Sequence, residues 1–290
     1  MEPAEIARVR RFARAVTAEV GALDSSFLGR GRPLGAARVL NAIGAGRAEI
    51  GEIRAYLGLD SGLMSRLLRG LEEEGLVATA PHPADARRRV ASLTEAGRRE
   101  FAAYEALSDA RAVALLERAP QMDALLHAMD RVALALGRDA IAIREADPTD
   151  AGARACLAAY YAELATRFAG GFDVALSCDP EAAAMVRPRG VFLLACADGL
   201  PVGCVGLKGG GAVAEIKRLW VDSAARGLGL ARRLMREAEA AARDLGIGTL
   251  RLDTNSALPE ALALYRRSGW VEIDRFNDDP YPDHFFEKAL

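Results

Sequence analysis

The sequence predicts two domains in tandem: a mainly α-helical domain with one β-hairpin, followed by an α/β domain. The first half shows apolar residues at helical spacing, interrupted by a single pair of short strands. Near residue 139 the Ala- and Leu-rich helices give way to an alternating strand, IAIREAD, and strands then alternate with helices to the end of the chain. At 290 residues the chain is long enough for two cores, and we expect domains at residues 1–138 and 140–290.

The composition excludes several classes of protein. The chain is 51% hydrophobic and 27% charged, which is typical of a globular protein rather than a disordered one. Its formal net charge is −2, so DNA binding would depend on locally placed arginines rather than on bulk charge. The start lacks the apolar run of a signal peptide, and no stretch approaches the roughly 18 apolar residues of a membrane span. We expect a cytoplasmic protein without membrane contact.

The cysteine pattern indicates neither a disulfide framework nor a metal site. Cys156, Cys178, Cys196 and Cys204 show no CxxC spacing, and no histidines cluster near them. We expect buried thiols and no bound metal.

A helix-turn-helix with a following hairpin is predicted in the first half. Residues 48–77 predict a helix, a turn at Gly58 and a second helix whose N-terminus is capped by Asp60 or Ser61. Strands at residues 76–78 and 89–93 would form a hairpin whose connection, residues 81–85, is irregular. Helices at residues 3–20, 33–44, 94–115 and 120–136 complete this half.

The segment SGLMSRLLRGLEEEGLV, followed by DARRRVASLTEAGR, resembles the recognition helix and wing of the MarR family of bacterial regulators. The resemblance covers residues 1–138. It implies a winged helix-turn-helix that binds an inverted-repeat operator in double-stranded DNA. It also implies a homodimer built from the terminal helices, here residues 3–20 and 99–136.

The residue types in this segment suit the two grooves of DNA. A recognition helix needs short polar side chains in its first turn and arginines on its groove face, and a wing arginine can reach the minor groove. Asp85 is placed to orient one of the wing arginines, which run from 87 to 89. Each residue alone also fits a helix cap or a solvated turn. The predicted DNA-binding residues are Ser61, Ser65, Arg66, Arg69, Arg87 and Arg88.

The segment KRLWVDSAARGLGLARRLMREAEAAARDLG resembles the central motif of the GNAT acetyltransferases, in which a strand runs into a glycine-containing loop that opens a helix. Downstream, ALALYRRSGW matches the helix that carries a tyrosine in that family. The resemblance covers about residues 140–290. It implies an α/β fold with a mixed central sheet and acetyl-CoA as cosubstrate, without a metal.

Acetyl-CoA binding accounts for the composition of the loop. A pyrophosphate needs backbone N–H groups that converge at a helix N-terminus, and small residues let it approach. Many members of the family carry Asn where this chain has Leu258, and Asn255 is the candidate substitute. The predicted cofactor-binding residues are Leu219, Val221, Arg226, Gly227, Leu228, Gly229, Leu230, Ala231 and Asn255.

Acetyl transfer to an amine needs a group that protonates the leaving thiolate and a group that accepts the amine proton. By resemblance, Tyr265 is the predicted acid, with core packing as the alternative. Glu215 is the predicted base, with a salt bridge to Lys217 or Arg218 as the alternative. Asn277, Tyr281 and His284 in the C-terminal segment are further candidates for substrate contact.

Together these features predict a bifunctional transcriptional regulator and N-acetyltransferase that acts on a primary amine of a small molecule or a protein. One alternative is a transcription factor whose second domain is a non-catalytic sensor of acetyl-CoA or another ligand. Another is an enzyme whose winged helix serves only for dimerisation. The sequence slightly favours a small-molecule acceptor, because no extended acidic peptide groove is evident.

Overall fold

A computed structural model describes residues 2–176, 184–209 and 211–290. It divides the chain into two compact units, residues 1–122 and 123–290. The first unit is mainly helical with a hairpin, and the second is an α/β unit with a mixed sheet, so the predicted fold class is confirmed.

The helices of the first unit pack around the helix-turn-helix. Gly58 forms the turn with φ 64°, a left-handed conformation that suits glycine, and the Asp60 side chain accepts a hydrogen bond from the Leu63 N–H to cap the second helix. Leu40, Ile53 and Met64 from three successive helices are fully buried in one core. The elements are α1 Pro3–Glu19, α2 Leu34–Gly44, α3 Ile50–Leu57, α4 Ser61–Glu73, β1 Val77–His82, β2 Asp85–Leu93 and α5 Glu95–Glu117.

The hairpin is longer than the sequence predicts. Residues 81–85 were expected to be irregular, but Pro81 lies in β1 opposite Arg89, and β2 already begins at Asp85. The expectation is wrong because β1 has a partner on one side only, so a proline that lacks an N–H can occupy it. The register shifts directly after Pro81, which confines the irregularity to the tip.

The start of α5 is fixed by Thr94 and Gly97. The Thr94 hydroxyl accepts a hydrogen bond from the Gly97 N–H at 3.0 Å and donates to the Gly75 carbonyl oxygen at 2.7 Å. A Cβ on Gly97 would lie 1.9 Å from the Leu76 carbonyl oxygen, which belongs to the backbone. The first turn of α5 therefore approaches the backbone that follows α4 so closely that only glycine fits at position 97.

We expect Gly97→Ala to destabilise the first unit by about 1–3 kcal/mol, because the backbone of Leu76 must move to admit the methyl group. The matched control is Gly70→Ala in α4, where an added Cβ meets nothing within 4 Å. There alanine favours the helix by up to about 1 kcal/mol. Urea unfolding of both variants measures the difference, and equal midpoints would contradict the close approach.

Helix α1 confirms the helix predicted at residues 3–20. Its apolar face is not covered by other described residues of the chain. Ile6, Val9, Phe12 and Val16 follow helical spacing and are all more than 40% exposed. No described residue of α1 is buried. The apolar side of this helix is thus available to a partner.

The second unit is built on a seven-stranded sheet with the order β3-β4-β5-β6-β7-β9-β8. Strands β6 and β7 are parallel and the other neighbours are antiparallel, which makes the sheet mixed. The elements are α6 Met122–Gly137, β3 Ala142–Ala146, α7 Ala151–Arg167, β4 Gly190–Ala197, β5 Leu200–Lys208, β6 Val213–Val221, α8 Leu230–Asp244, β7 Thr249–Thr254, α9 Pro259–Arg267, β8 Val271–Ile273 and β9 His284–Ala289.

Helices cover the sheet with two separate cores. Residues of α8 and α9, such as Leu234 and Leu262, share one core with Leu250 of β7. Residues of α7 share the other core with β4 and β5. Cys156 and Cys204 are buried in this second core, Cys196 is half-buried, and Cys178 lies outside the described residues.

Helix α6 groups with the second unit, whereas the sequence suggested a boundary at residues 138–140. Leu134 of α6 is buried in the same core as α8. The guanidinium of Arg233 on α8 donates to the carbonyl oxygens of Arg138 and Ile141, at 3.3 and 2.8 Å. These contacts tie the end of α6 to the α/β unit.

No helix in the described ranges has both the length and the apolar character needed to cross a membrane. Among these same residues, no group of three or more His, Cys, Asp or Glu side chains is arranged to hold a metal ion.

Candidate functional site

The central feature of the second unit is a gap between two parallel strands. Strand β6 pairs with β7 only over Val213–Ile216, opposite Thr249–Leu252. Beyond that point β7 pairs with β9 alone, so the described part of β6 from Lys217 to Val221 has a strand partner only on the β5 side. Backbone groups on this open edge are available to a ligand.

A bulge in β6 lies at the start of the gap. Gly206 is opposite Lys217 and Cys204 is opposite Trp220, so two residues of β6 oppose one of β5. Arg218 takes a positive φ of 54°, which is uncommon for a residue with a side chain. Its buried guanidinium donates from Nε to the Tyr161 hydroxyl at 2.7 Å, and this bond holds the bulge against α7.

The inner cavity lies at the gap and has a volume of about 110 Å³. Its wall includes Lys217, Asp253 and Tyr265. The Asp253 Oδ2 atom accepts hydrogen bonds from Lys217 Nζ and from Asn277 Nδ2, both at 2.6 Å. Because both bonds use Oδ2, the other carboxylate oxygen, Oδ1, is available to a ligand.

Lys217 stays charged in this wall. Burial alone would lower its pKa, but attraction to Asp253 and to Glu215, whose Oε2 lies 3.2 Å from Nζ, outweighs burial and raises the pKa above its ordinary value.

Tyr265 lies on α9, and its ring is held between other aromatic rings. The centroids of Trp270 and Phe286 lie 6.1 and 5.9 Å from its own. Burial, with a smaller contribution from the Asp253 charge, raises the pKa of the Tyr265 hydroxyl. The ring thus packs in the core while the residue also lines the inner cavity. Core packing of Tyr265 is therefore compatible with its predicted role as the acid.

Glu215 does not line the inner cavity. Glu215 lies two residues before Lys217 in β6 and forms a salt bridge with that lysine. In the pairing of β6 with β7 it is opposite Arg251. The aspartates in the cavity wall are Asp253 and Asp279, and the sequence reasoning missed both. For Asp253, the available signal was its position near the end of β7, the strand parallel to β6.

The outer cavity, of about 540 Å³, adjoins the inner one. Its wall contains the glycine loop, in which Gly227 and Gly229 have φ of 81° and 79°. An added Cβ at either glycine would meet only open space within 4 Å, so their small size leaves the loop backbone uncovered. Both cavities are lined by Leu219, Leu258 and Ala261, so they meet at the gap.

The N-terminus of α8 suits a phosphate. The Arg233 N–H bonds to the Gly229 carbonyl, which makes it the first intrahelical bond. The preceding N–H groups in the first turn therefore have no intrahelical acceptor. Together with the uncovered loop backbone they fit the pyrophosphate of CoA.

Most of the predicted cofactor-binding residues are brought together in the outer cavity. Two are placed elsewhere: Leu228 packs against the α8 core, and Asn255 lines the inner cavity. The Asn255 amide is used within the chain, because Nδ2 donates to the Tyr281 carbonyl at 2.6 Å and Oδ1 accepts from the Ala257 N–H at 2.8 Å. The predicted cofactor-binding residues that line the outer cavity are Leu219, Val221, Arg226, Gly227, Gly229, Leu230 and Ala231.

Ion pairs form part of the outer wall. Glu163 of α7 accepts hydrogen bonds from Arg226 Nη2 at 2.5 Å and from Trp220 Nε1 at 3.0 Å. Burial would raise the pKa of Glu163, but these bonds and one from Arg167 outweigh it and lower the pKa. Arg167 also pairs with Glu260 of α9. Arg226 is thus bonded to the protein and shapes the loop, since its Nε also donates to the Val221 carbonyl at 3.1 Å.

The C-terminal candidates are placed differently from one another. Tyr281 lines the inner cavity, and Asn277 positions Asp253 through the bond described above. His284 does not line either cavity; its Nδ1 lies 2.6 Å from the Glu272 carboxylate.

In the first unit, a groove lies between α3, α4 and the wing. Ser61, Ser65 and Arg69 occur at four-residue steps along α4 and line it, together with the wing arginines 87 to 89. Arg66 is exposed but does not line this groove. Five of the six predicted DNA-binding residues are thus brought to one surface.

The wing arginines differ in their contacts. Arg87 is 91% exposed, and its Nε donates to Asp85 at 3.1 Å, which is the orienting contact expected from the sequence. The hydrogen bonds from Arg87 lower the pKa of the Asp85 carboxyl. Arg88 pairs with Glu49 and Arg89 bonds to Thr79. Arg87 is therefore the wing cation most available to a partner.

Two family models match this chain: the MarR family over residues 30–88 and the acetyltransferase (GNAT) family over residues 158–270. An "IAA acetyltransferase" of Azospirillum brasilense is 36% identical over 112 residues, which is 37% of this chain and 72% of that protein. An uncharacterized N-acetyltransferase of Schizosaccharomyces pombe is 33% identical over 99 residues, 33% of this chain and 61% of that protein. A GNAT-family acetyltransferase structure from Staphylococcus aureus shares 20% identity with a TM-score of 0.46, covering 52% of this chain and 99% of that one.

Proposed function

Since the chain belongs to the GNAT acetyltransferase family and carries a MarR-family domain ahead of it, we propose that it transfers acetyl from acetyl-CoA to a primary amine and binds double-stranded DNA. One observation carries the catalytic half. The inner cavity, with Tyr265 and Asp253, meets the glycine-loop cavity at the gap in the sheet. A thioester that extends from the loop would reach both side chains at this junction.

Acetyl-CoA supplies the acyl group as a thioester. The glycine loop and the first turn of α8 would hold its pyrophosphate, and the open edge of β6 at Leu219 and Val221 would bind the pantetheine amides. A backbone N–H at the gap would stabilise the negative charge that develops on the acetyl oxygen. This binding needs no metal ligand.

The proton transfers are assigned to two side chains. The amine nitrogen forms a bond to the acetyl carbon as the carbon–sulfur bond breaks. Asp253 accepts the proton that the amine loses, directly or through a water molecule, because it lines the inner cavity and its Oδ1 atom is available. Tyr265 donates a proton to the CoA thiolate, since its raised pKa keeps the hydroxyl protonated. Glu215 supports Lys217 rather than acting on the amine.

A small-molecule acceptor is favoured over a protein. The inner cavity of about 110 Å³ has room for a compact molecule rather than a folded segment. The chain itself also offers little lysine: Lys208, Lys217 and Lys288 are its lysines, and none lies in the DNA-binding unit. The cations in that unit are arginines, which this reaction does not acetylate. Amine-dependent CoA release tests the catalytic half of the proposal.

The DNA-binding part of the proposal includes the formation of a homodimer. Large apolar side chains are exposed on α1, and others are exposed on α5 and on α6. Such faces indicate a protein partner, and a second copy would cover the same helices by symmetry. The exposed residues on α5 and α6 are Leu107, Val113, Met122, Leu126, Met129, Val132 and Leu136.

We expect Arg87→Ala to weaken DNA binding about ten-fold and to reduce the salt dependence of binding, because each wing loses a contact to the DNA backbone or minor groove. Arg38→Ala is the matched control, since Arg38 is an exposed arginine on α2 that lies outside the groove and outside the predicted dimer helices. Fluorescence anisotropy with a labelled random-sequence duplex at several salt concentrations measures both effects. Equal losses in the two variants would contradict a specific role for the wing.

A further inference from the structure

Aromatic rings from three segments line one side of the inner cavity. Tyr161 and Phe168 lie on or directly after α7, Phe172 lies in the following loop, and Tyr281 precedes β9. The Phe172 ring centroid is 4.6 Å from that of Tyr281, 5.7 Å from that of Tyr161 and 6.0 Å from that of Phe168. We call these four residues the aromatic box. Its faces suit an aromatic ring or a cation.

The aromatic box is held in place by polar contacts on Tyr281. The Tyr281 hydroxyl accepts a hydrogen bond from the Asp173 N–H at 2.8 Å, which joins the loop after α7 to the C-terminal segment. The Tyr281 carbonyl accepts from Asn255, and its N–H donates to Asp279 Oδ1 at 3.2 Å. A ring fixed at its hydroxyl and at both backbone groups is pre-organised for a ligand.

The charges in the same wall discriminate between amines. Asp279 is buried and lines the cavity together with Tyr281 and Asp253. Lys217 is paired with Asp253 and Glu215, whereas Arg218 donates to the neutral hydroxyl of Tyr161 beside α7. The two aspartates of the wall therefore favour an ammonium group over a second carboxylate in their vicinity.

We propose that the acceptor is a small arylalkylamine without a carboxylate, whose ring stacks in the aromatic box and whose amine faces Asp253. The proposal rests on the proposed acetyl transfer and names its substrate class. The short chain between ring and amine follows from the size of the cavity, since a ring in the box and an amine at Asp253 occupy one compact space. An amino acid with the same ring is rejected because its carboxylate would meet Asp279 and Asp253.

The test compares three probes on the full chain: phenethylamine, phenylalanine, which adds a carboxylate, and hexylamine, which replaces the ring with an alkyl chain. We expect kcat/KM for phenethylamine to exceed that for either other probe by about ten-fold or more. Calorimetric titration of each probe into protein saturated with CoA gives a readout that is independent of turnover, and the same order of affinity is expected.

A variant pair separates the aromatic box from general effects on the fold. Phe172→Leu should lower phenethylamine affinity about ten-fold and leave hexylamine affinity within about two-fold. Phe276→Leu is the control, because Phe276 packs edge-on against Phe285 and does not line the cavity; its affinities should match those of the wild type. The wild-type probe comparison needs no variant, so it stands even if Phe172→Leu does not fold.

The outcomes for the two proposals differ. Equal or stronger binding of phenylalanine or hexylamine overturns the arylalkylamine proposal, as does an unchanged phenethylamine affinity in Phe172→Leu. Selective binding of phenethylamine without CoA release from any amine supports the aromatic box as a ligand site but overturns the proposed acetyl transfer.

Discussion

Replacing Tyr265 with phenylalanine is expected to lower kcat by about 10²–10⁴-fold, the range typical of a lost general acid. The variant keeps the ring that packs between Trp270 and Phe286 and removes only the hydroxyl. The affinity for acetyl-CoA and the stability of the unit should therefore remain close to those of the wild type. Steady-state CoA release, with calorimetry for acetyl-CoA and thermal unfolding as controls, measures the effect.

The pH profile gives a second readout of the same residue. Burial raises the pKa of the Tyr265 hydroxyl, so it stays protonated beyond its usual pKa of about 10. We therefore expect no alkaline fall in kcat up to at least about pH 10. An alkaline fall well below that value, absent in Tyr265→Phe, would show that Tyr265 titrates early and would contradict its buried placement.

Gly229→Val should lower the affinity for acetyl-CoA by about 100-fold or more. Gly229 is the N-cap residue of α8 and has φ 79°, where a side chain costs roughly 1–2 kcal/mol. A branched side chain there would also cover the N–H groups proposed to hold the pyrophosphate. Calorimetric titration with CoA measures the loss.

A glycine at the other end of α8 provides the matched control. Gly246 has φ 75°, and an added Cβ would meet nothing within 4 Å, but it does not line either cavity. Gly246→Val thus carries similar backbone strain without touching the phosphate site. We expect it to cost stability and to leave CoA affinity unchanged; a similar loss of affinity in both variants would assign the effect to strain in α8 alone.

The sequence was sufficient to predict features that depend on local patterns. Asp60 capping α4, the left-handed Gly58 turn and the glycine loop before α8 all follow from short segments with a clear physical requirement. The exception, Pro81, depends on which side of its strand has a partner. That information is not present in the segment itself.

The candidate site was harder to predict because it depends on how distant strands meet. The sequence analysis named Glu215 as the base and did not consider Asp253, because only the parallel register of β6 and β7 places Asp253 in the cavity wall. Asn255 was the candidate substitute for the asparagine that the resembled family carries at the position of Leu258, whereas its amide is bonded to the backbone of Tyr281, 26 residues later in the chain. The aromatic box joins segments that are far apart in sequence, so no single sequence motif predicts it.

Mass-spectrometric detection of an acetylated amine, with CoA release by the full-length protein supplied with acetyl-CoA and phenethylamine, tests the central claim most directly. The account predicts a product one acetyl group heavier than the amine, formed in step with CoA and lost in Tyr265→Phe. Tight acetyl-CoA binding without an acetylated product from phenethylamine or any amine in a broader panel would contradict it and would favour a non-catalytic acetyl-CoA sensor.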